Sequence, residues 1–131
     1  MIGIDTNVLL RIFGSDEDDP DQVAAARGLL RTAAPLFVNP IVLAEFVWTL
    51  RRTYKLDRRA IHARLAAIAG APEFTYAFPQ ATRRAVELFR EGPADFADYL
   101  IGEIDRDLGC TTTMTFDRQA ALAATFTSVG G

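Results

Sequence analysis

Residues 1–10 read MIGIDTNVLL. Met1–Asp5 is a brief strand candidate, and from Asn7 to Phe13 the apolar residues switch to helical spacing. A strand that hands over to a helix at an aspartate suggests an α/β chain, and the alternation continues downstream. Asp21–Ala33 reads as a helix, and Leu36–Asn39 (LFVN), bounded by Pro35 and Pro40, as a second strand. Ile41–Tyr54 is an amphipathic helix, and Asp57 caps another that runs to about Ala69. Phe74–Ala77 is the third strand, and Pro79 opens a helix through about Arg90. After the Gly92-Pro93 break, Asp95–Leu108 is helical and Cys110–Thr115 is a β-branched strand; a short helix from Asp117 and a last strand at Phe126–Val129 follow. Short strands separated by helices predict a three-layer α/β/α fold with a central parallel sheet of four to five strands.

At 131 residues the chain fits a single domain, 1–131, without internal repeat or linker. Charged residues interrupt every apolar stretch, so none has the roughly 18–20 residues needed to cross a bilayer, and the start lacks the basic region of a signal peptide. One cysteine allows no internal disulfide, which makes the cytoplasm the expected compartment. With Cys110 and His62 each alone of its kind, a zinc site of several His or Cys ligands is excluded; His62 is expected on a helix surface.

The net charge of −3 is unevenly spread. The stretch 15–21, SDEDDPD, holds five of the 17 acids, and outside it the 14 bases are in excess. These five charges read as solvated, or as facing a partner, rather than as a contact for nucleic acid. From Arg51 to Arg64, six bases (Arg51, Arg52, Lys55, Arg58, Arg59, Arg64) face one acid, Asp57, a density that suits phosphates and also suits an ordinary solvated helix.

In a parallel α/β fold the functional crevice lies beyond the carboxyl ends of the strands. There this sequence is acidic. Asp5 ends the first strand, Glu45 lies one helical turn beyond the second, Asp95 and Asp98 open the helix of ADFADYLIGE, and Asp117 follows the fourth strand in TMTFDR. Taken singly, Asp5 and Asp117 could be helix N-caps, and Asp95 with Asp98 resembles a capping box. Glu45 resists that reading, because in sequence it interrupts an otherwise apolar face of Ile41, Leu43, Phe46, Val47 and Leu50. Carboxylates brought together repel unless a cation neutralises them, and oxygen donors without His or Cys favour a hard ion, Mg²⁺ or Mn²⁺. Such a site hydrolyses a phosphodiester without a serine or histidine.

Four segments, IDTNVLL, NPIVLAEFVWTL, ADFADYLIGE and TFDR, resemble the PIN-domain family, and among its members the VapC toxins of toxin–antitoxin pairs, in order and over about the whole chain. The resemblance implies a PIN-like fold and a metal-dependent endoribonuclease that cuts tRNA or rRNA. It implies Asp5, Glu45, Asp98 and Asp117 as metal ligands, with Asp95 as the alternative third acid, and Asn7 and Thr115 as polar groups that hold them. It also implies a homodimer neutralised by a VapB-like antitoxin, for which the helix pair of about 41–69 offers a groove. Arg11, Arg51, Arg52, Lys55 and Arg118 are candidates for gripping RNA. Trp48 and Tyr54 could stack on bases, although an aromatic at helical spacing, such as Trp48, is more often core. A housekeeping RNA-processing nuclease and a catalytically silent binding module are the alternatives. A receiver domain or haloacid-dehalogenase-like phosphatase fits poorly: position 7 is Asn where the phosphatase pattern needs Asp, and the only lysine is Lys55.

Overall fold

The computed structural model describes residues 1–13 and 19–130. Residues 15–18 of the acidic stretch, with Asp16, Glu17 and Asp18, lie outside the described residues. The chain divides into two compact units, Met1–Ala77 and Phe78–Gly131.

In the first unit, strands β1 (Ile2–Ile4), β2 (Leu36–Val38) and β3 (Phe74–Tyr76) alternate with helices α1 (Thr6–Phe13), α2 (Pro20–Thr32), α3 (Pro40–Arg52) and α4 (Arg58–Gly70). The strands pair in parallel in the order β1-β2-β3, with Ile2 opposite Leu36 and Leu36 opposite Phe74. Short polar side chains start the helices by accepting from otherwise unpaired backbone N–H groups. Asp19 accepts from Asp21 and Gln22, Asn39 from Ile41 with Pro40 beginning α3, and Asp57 from Ala60. Leu9, Leu10, Leu36, Val38, Phe46, Leu50, Ile61, Leu65 and Ile68 are buried. The apolar positions of α3 at i, i+3, i+4 and i+7, Leu43, Phe46, Val47 and Leu50, are its core face. Arg64 belongs to the packing as well as to the basic run: its Nε donates to the Phe13 carbonyl at 3.0 Å, closing the end of α1.

The second unit contains α5 (Pro79–Glu91), α6 (Phe96–Asp107), β4 (Thr113–Thr115), a 3₁₀ turn at Ala120–Leu122 and β5 (Phe126–Ser128). α5 packs on α6 through Ala81, Ala85, Val86 and Phe89, and Phe89 meets Phe96 edge to face at 5.9 Å. Glu103 on α6 is buried and accepts from Arg84 Nε at 2.6 Å and Arg106 at 2.7 Å; Arg84 also reaches Asp107 at 2.6 Å. The hydrogen bond that Arg84 donates to Glu103, opposed by burial and assisted by Asp107, raises the Arg84 pKa. α6 ends in a Schellman closure, in which Gly109 takes the left-handed conformation (φ 99°) and donates to Arg106 while Cys110 donates to Asp105. That closure uses Cys110, so β4 begins at Thr113 rather than at the expected Cys110. β4 and β5 pair in parallel, Thr113 opposite Phe126 and Thr115 opposite Ser128.

The α/β class and the parallel pairing agree with the sequence. The sheet differs from expectation: among the described residues the five strands form one ladder of three and one of two, not one sheet of four to five. Each strand has three residues, the short end of the usual range, so each pairing carries few hydrogen bonds. Beyond Asp117 there is a 3₁₀ turn in place of the short helix. Among the described residues no helix is long and apolar enough to cross a membrane.

Two glycines inside helices give opposite expectations. A Cβ on Gly102 would run into the Thr125 hydroxyl and lie 2.7 Å from the Phe126 ring, whereas one on Gly28 would lie 3.8 Å from its nearest neighbour, the end of Arg31. Gly102→Ala should therefore destabilise by about 1–3 kcal/mol through overpacking, and Gly28→Ala should stabilise by about 0.5–1 kcal/mol. Urea denaturation of the two variants measures both.

Candidate metal-dependent site

Candidate residues lie just beyond the ends of β1 and β4. At the end of β1, Asp5 Oδ1 accepts from the Val8 N–H at 3.0 Å, and the Asp5 carbonyl accepts from Leu9, so Asp5 starts α1. That bond occupies one carboxylate oxygen; Oδ2 has no hydrogen bond among the described residues. The next residue, Thr6, donates its hydroxyl to Glu45 Oε1 at 3.0 Å, across 39 residues of sequence. Thr6 thus ties the start of α1 to the second turn of α3 and fixes the Glu45 carboxylate beside the strand end.

Glu45 does not interrupt the core face of α3, as the sequence suggested. It is exposed, on a stripe with Ile41 (69% exposed) and Trp48 (52% exposed). The two apolar residues at 41 and 48 imitate a buried stripe, while the residues actually buried are those at 43, 46, 47 and 50. Trp48, expected as core, faces solvent with the Arg52 guanidinium 5.3 Å from its ring centroid.

At the end of β4, the Thr115 hydroxyl accepts from the Asp117 N–H at 2.9 Å, and Asp117 Oδ1 in turn accepts from Gln119 at 2.8 Å and Ala120 at 2.9 Å. The strand itself is tied to α6 by Thr113, whose hydroxyl donates to Asp105 Oδ2 at 2.7 Å. Asp95 and Asp98 open α6; Asp95 makes no side-chain cap bond, so only half of the expected capping box is present, the Asp95 backbone N–H donating to the Asp98 carboxylate. Burial, then the Asp117 charge and then the Asp95 charge, push the half-buried Asp98 carboxyl above the usual carboxylate range. The five acids therefore fall into two sets, Asp5 and Glu45 in the first unit and Asp95, Asp98 and Asp117 in the second.

Among the described residues no group of three or more His, Cys, Asp or Glu side chains is gathered closely enough to hold a metal ion by itself. The donor chemistry nevertheless fits a hard cation. Every donor is a carboxylate oxygen, and the Asp117 and Asp95 charges add to burial in raising the Asp98 pKa, a repulsion that a cation would relieve.

The other predicted residues are distributed around these sets. Asn7 and Arg11 line a cavity of about 450 Å³ with Asp5, Gln22 and Leu29, and Arg11 Nε donates to Gln22 at 2.9 Å. Asn7 has no hydrogen bond to an acid among the described residues; Thr6, its neighbour, does. Arg51, Arg52, Lys55 and Arg118 are exposed. His62 is half-buried rather than on the surface, and its Nε2 is buried without a hydrogen-bond partner among the described residues. Sequence reading missed Thr6 and Thr113; the only local signal was a hydroxyl residue beside an acid or inside a strand leading to one.

The PIN domain family model matches residues 2–125, a span that contains all five acids. Comparison with curated proteins and with solved structures returns no match.

The Asp98 environment gives a pH-dependent expectation. A carboxyl whose folded pKa is raised binds its proton more tightly in the folded state, so its ionisation weakens the fold. This cost is absent at pH values below the ordinary Asp value of about 3.9 and complete above the raised one. Metal-free Asp98→Asn protein should melt higher than the parent at neutral pH, and the gain should vanish as pH falls through the raised Asp98 pKa. Asp117→Asn should bring the Asp98 pKa down toward the ordinary value, read by carboxyl NMR titration.

Proposed function

Because the chain belongs to the PIN-domain family, whose members are generally metal-dependent nucleases acting on RNA or DNA, we propose that it is a Mg²⁺-dependent endoribonuclease of the VapC toxin type. In this reading it cuts cellular RNA, tRNA or rRNA, as a homodimer in the cytoplasm, and a small VapB-like antitoxin holds it in check. One observation carries the proposal: two of the acids, Glu45 on α3 and Asp117 just beyond β4, are each held by a threonine hydroxyl, Thr6 donating to the Glu45 carboxylate and Thr115 accepting from the Asp117 backbone N–H. Hydroxyls given over to holding exposed acids are the kind of support that a metal site needs and a surface charge does not.

Asp5, Glu45, Asp98 and Asp117 are the proposed ligands, with Asp95 adding negative potential at the mouth of the Asp98 set. When bound, Mg²⁺ or Mn²⁺ supplies activation of water at neutral pH and neutralises charge on the phosphodiester. The chain's own contribution is orientation. Asp5 and Asp117 each give Oδ1 to a backbone N–H, which fixes the direction of Oδ2. Arg11, Arg51, Arg52, Lys55 and Arg118 are the proposed phosphate contacts, and Asn7 a polar neighbour of Asp5. The exposed bases Arg51, Arg52, Lys55 and Arg59, around the turn from α3 to α4, suit an acidic segment of the antitoxin.

Partner-free protein incubated with total RNA and Mg²⁺ should give discrete cleavage that EDTA and Asp5→Asn both abolish. Thr6→Val, which removes only the hydroxyl, should lower kcat/KM by about 10–100-fold, and Thr6→Ser should restore most of it. Cleavage that survives EDTA, or that is indifferent to Asp5→Asn, rejects the proposal.

A further inference from the structure

The exposed stripe of α3 is chemically unusual for a solvated helix. Ile41, Glu45, Trp48 and Arg52 follow one another at spacings of four, three and four residues, which places them on one face, opposite the buried Leu43, Phe46, Val47 and Leu50. An indole is the largest apolar group the chain owns, and this one is 52% exposed. Arg52 lies over the ring at 5.3 Å, a cation–π contact that steadies the indole without covering it. Arg51 and Lys55, both exposed, continue the positive charge past Trp48, while Glu45, held by Thr6, lies on the other side.

We infer that this face is a nucleobase-stacking platform, on which Trp48, braced by Arg52, seats an unpaired base of the substrate one helical turn from Glu45. The inference rests on the nuclease reading above and assigns the contact with one unstacked base to a single side chain. A base within a duplex is already stacked on both faces, so only a base out of the stack can lie on the indole. The charges flanking the ring sort in the same direction: cations beside Trp48 suit the phosphates on either side of a stacked base. A second copy of the chain fits the stripe less well. The core of a protein interface is depleted of charge, whereas here Glu45 and Arg52 interrupt the apolar positions on both sides of Trp48, and burying them dry is costly.

Trp48 is the only tryptophan, so its fluorescence reports this face alone. The full chain is titrated in EDTA, which prevents cleavage, with a short single-stranded oligoadenylate. The same strand carrying abasic sites, and the same strand paired with oligouridylate, are titrated in parallel. The platform requires strong quenching by the single strand and little by the abasic strand or the duplex. By anisotropy of a labelled strand, Trp48→Ala should weaken oligoadenylate binding about tenfold, the lower part of the range for loss of one stacked base. Trp48→Tyr should recover most of the affinity, and neither change should lower the melting temperature. Equal quenching by all three probes, or unchanged affinity in Trp48→Ala, overturns the inference. So does a Trp48→Ala protein that turns from dimer to monomer in sedimentation while its affinity for the strand is unchanged, because the face then joins copies of the chain. Cleavage of total RNA with Mg²⁺ is followed alongside. Quenching without cleavage rejects the nuclease and keeps the platform, and cleavage without quenching rejects the platform alone.

Discussion

The first backbone N–H groups of a helix need acceptors, and at three junctions where strands give way to helices or turns this chain supplies them with short polar side chains. Asp5, Asn39 and Asp117 all serve in this way. The need for a cap and the need for a ligand are often treated as competing explanations of an aspartate after a strand. In this protein they are compatible, because a carboxylate has two oxygens. Oδ1 of Asp5 and of Asp117 is committed to the backbone, and that commitment aims Oδ2. The cap is the means by which the strand end presents a carboxylate in a fixed direction.

Glu45 shows the alternative solution. Placed mid-helix, it has no cap to make, so its direction comes from another element through the Thr6 hydroxyl. Asp98 is positioned by its place in the first turn of α6, and the helix is in turn secured at its far end by the buried Glu103 between Arg84 and Arg106. Only Glu103 is buried in this cluster, so losing both arginines would leave its charge uncompensated, which makes the cluster an anchor rather than an ornament of the surface.

The order of elements was legible because the signals were local. Pro40 and Pro79 begin helices where their missing N–H costs nothing, Asp57 caps α4, and the threonine-rich run Cys110–Thr115 contains a strand. Asp5, Asp98 and Asp117 could be placed at strand and helix ends for the same reason. What escaped was tertiary. The Thr6–Glu45 bond spans 39 residues and the Thr113–Asp105 bond depends on the turn between α6 and β4, neither of which has a period to detect. Trp48 and Ile41 were misplaced because periodicity finds an apolar stripe without saying whether anything covers it. The split of the strands into two ladders was also invisible, since pattern gives strands but not their neighbours.

The tether between α6 and β4 has a counting property. Thr113 and Thr115 lie on one face of β4 because strand side chains alternate, and both hydroxyls are engaged, one by Asp105 and the other by the Asp117 N–H. The register of β4 therefore carries parity as well as position. A slip of one residue against β5 would turn both threonines to the opposite face, whereas a slip of two would keep their facing and displace Asp117 along the strand by roughly 7 Å. Pairing Thr113 with Phe126 is thus the register that serves Asp105 and Asp117 together.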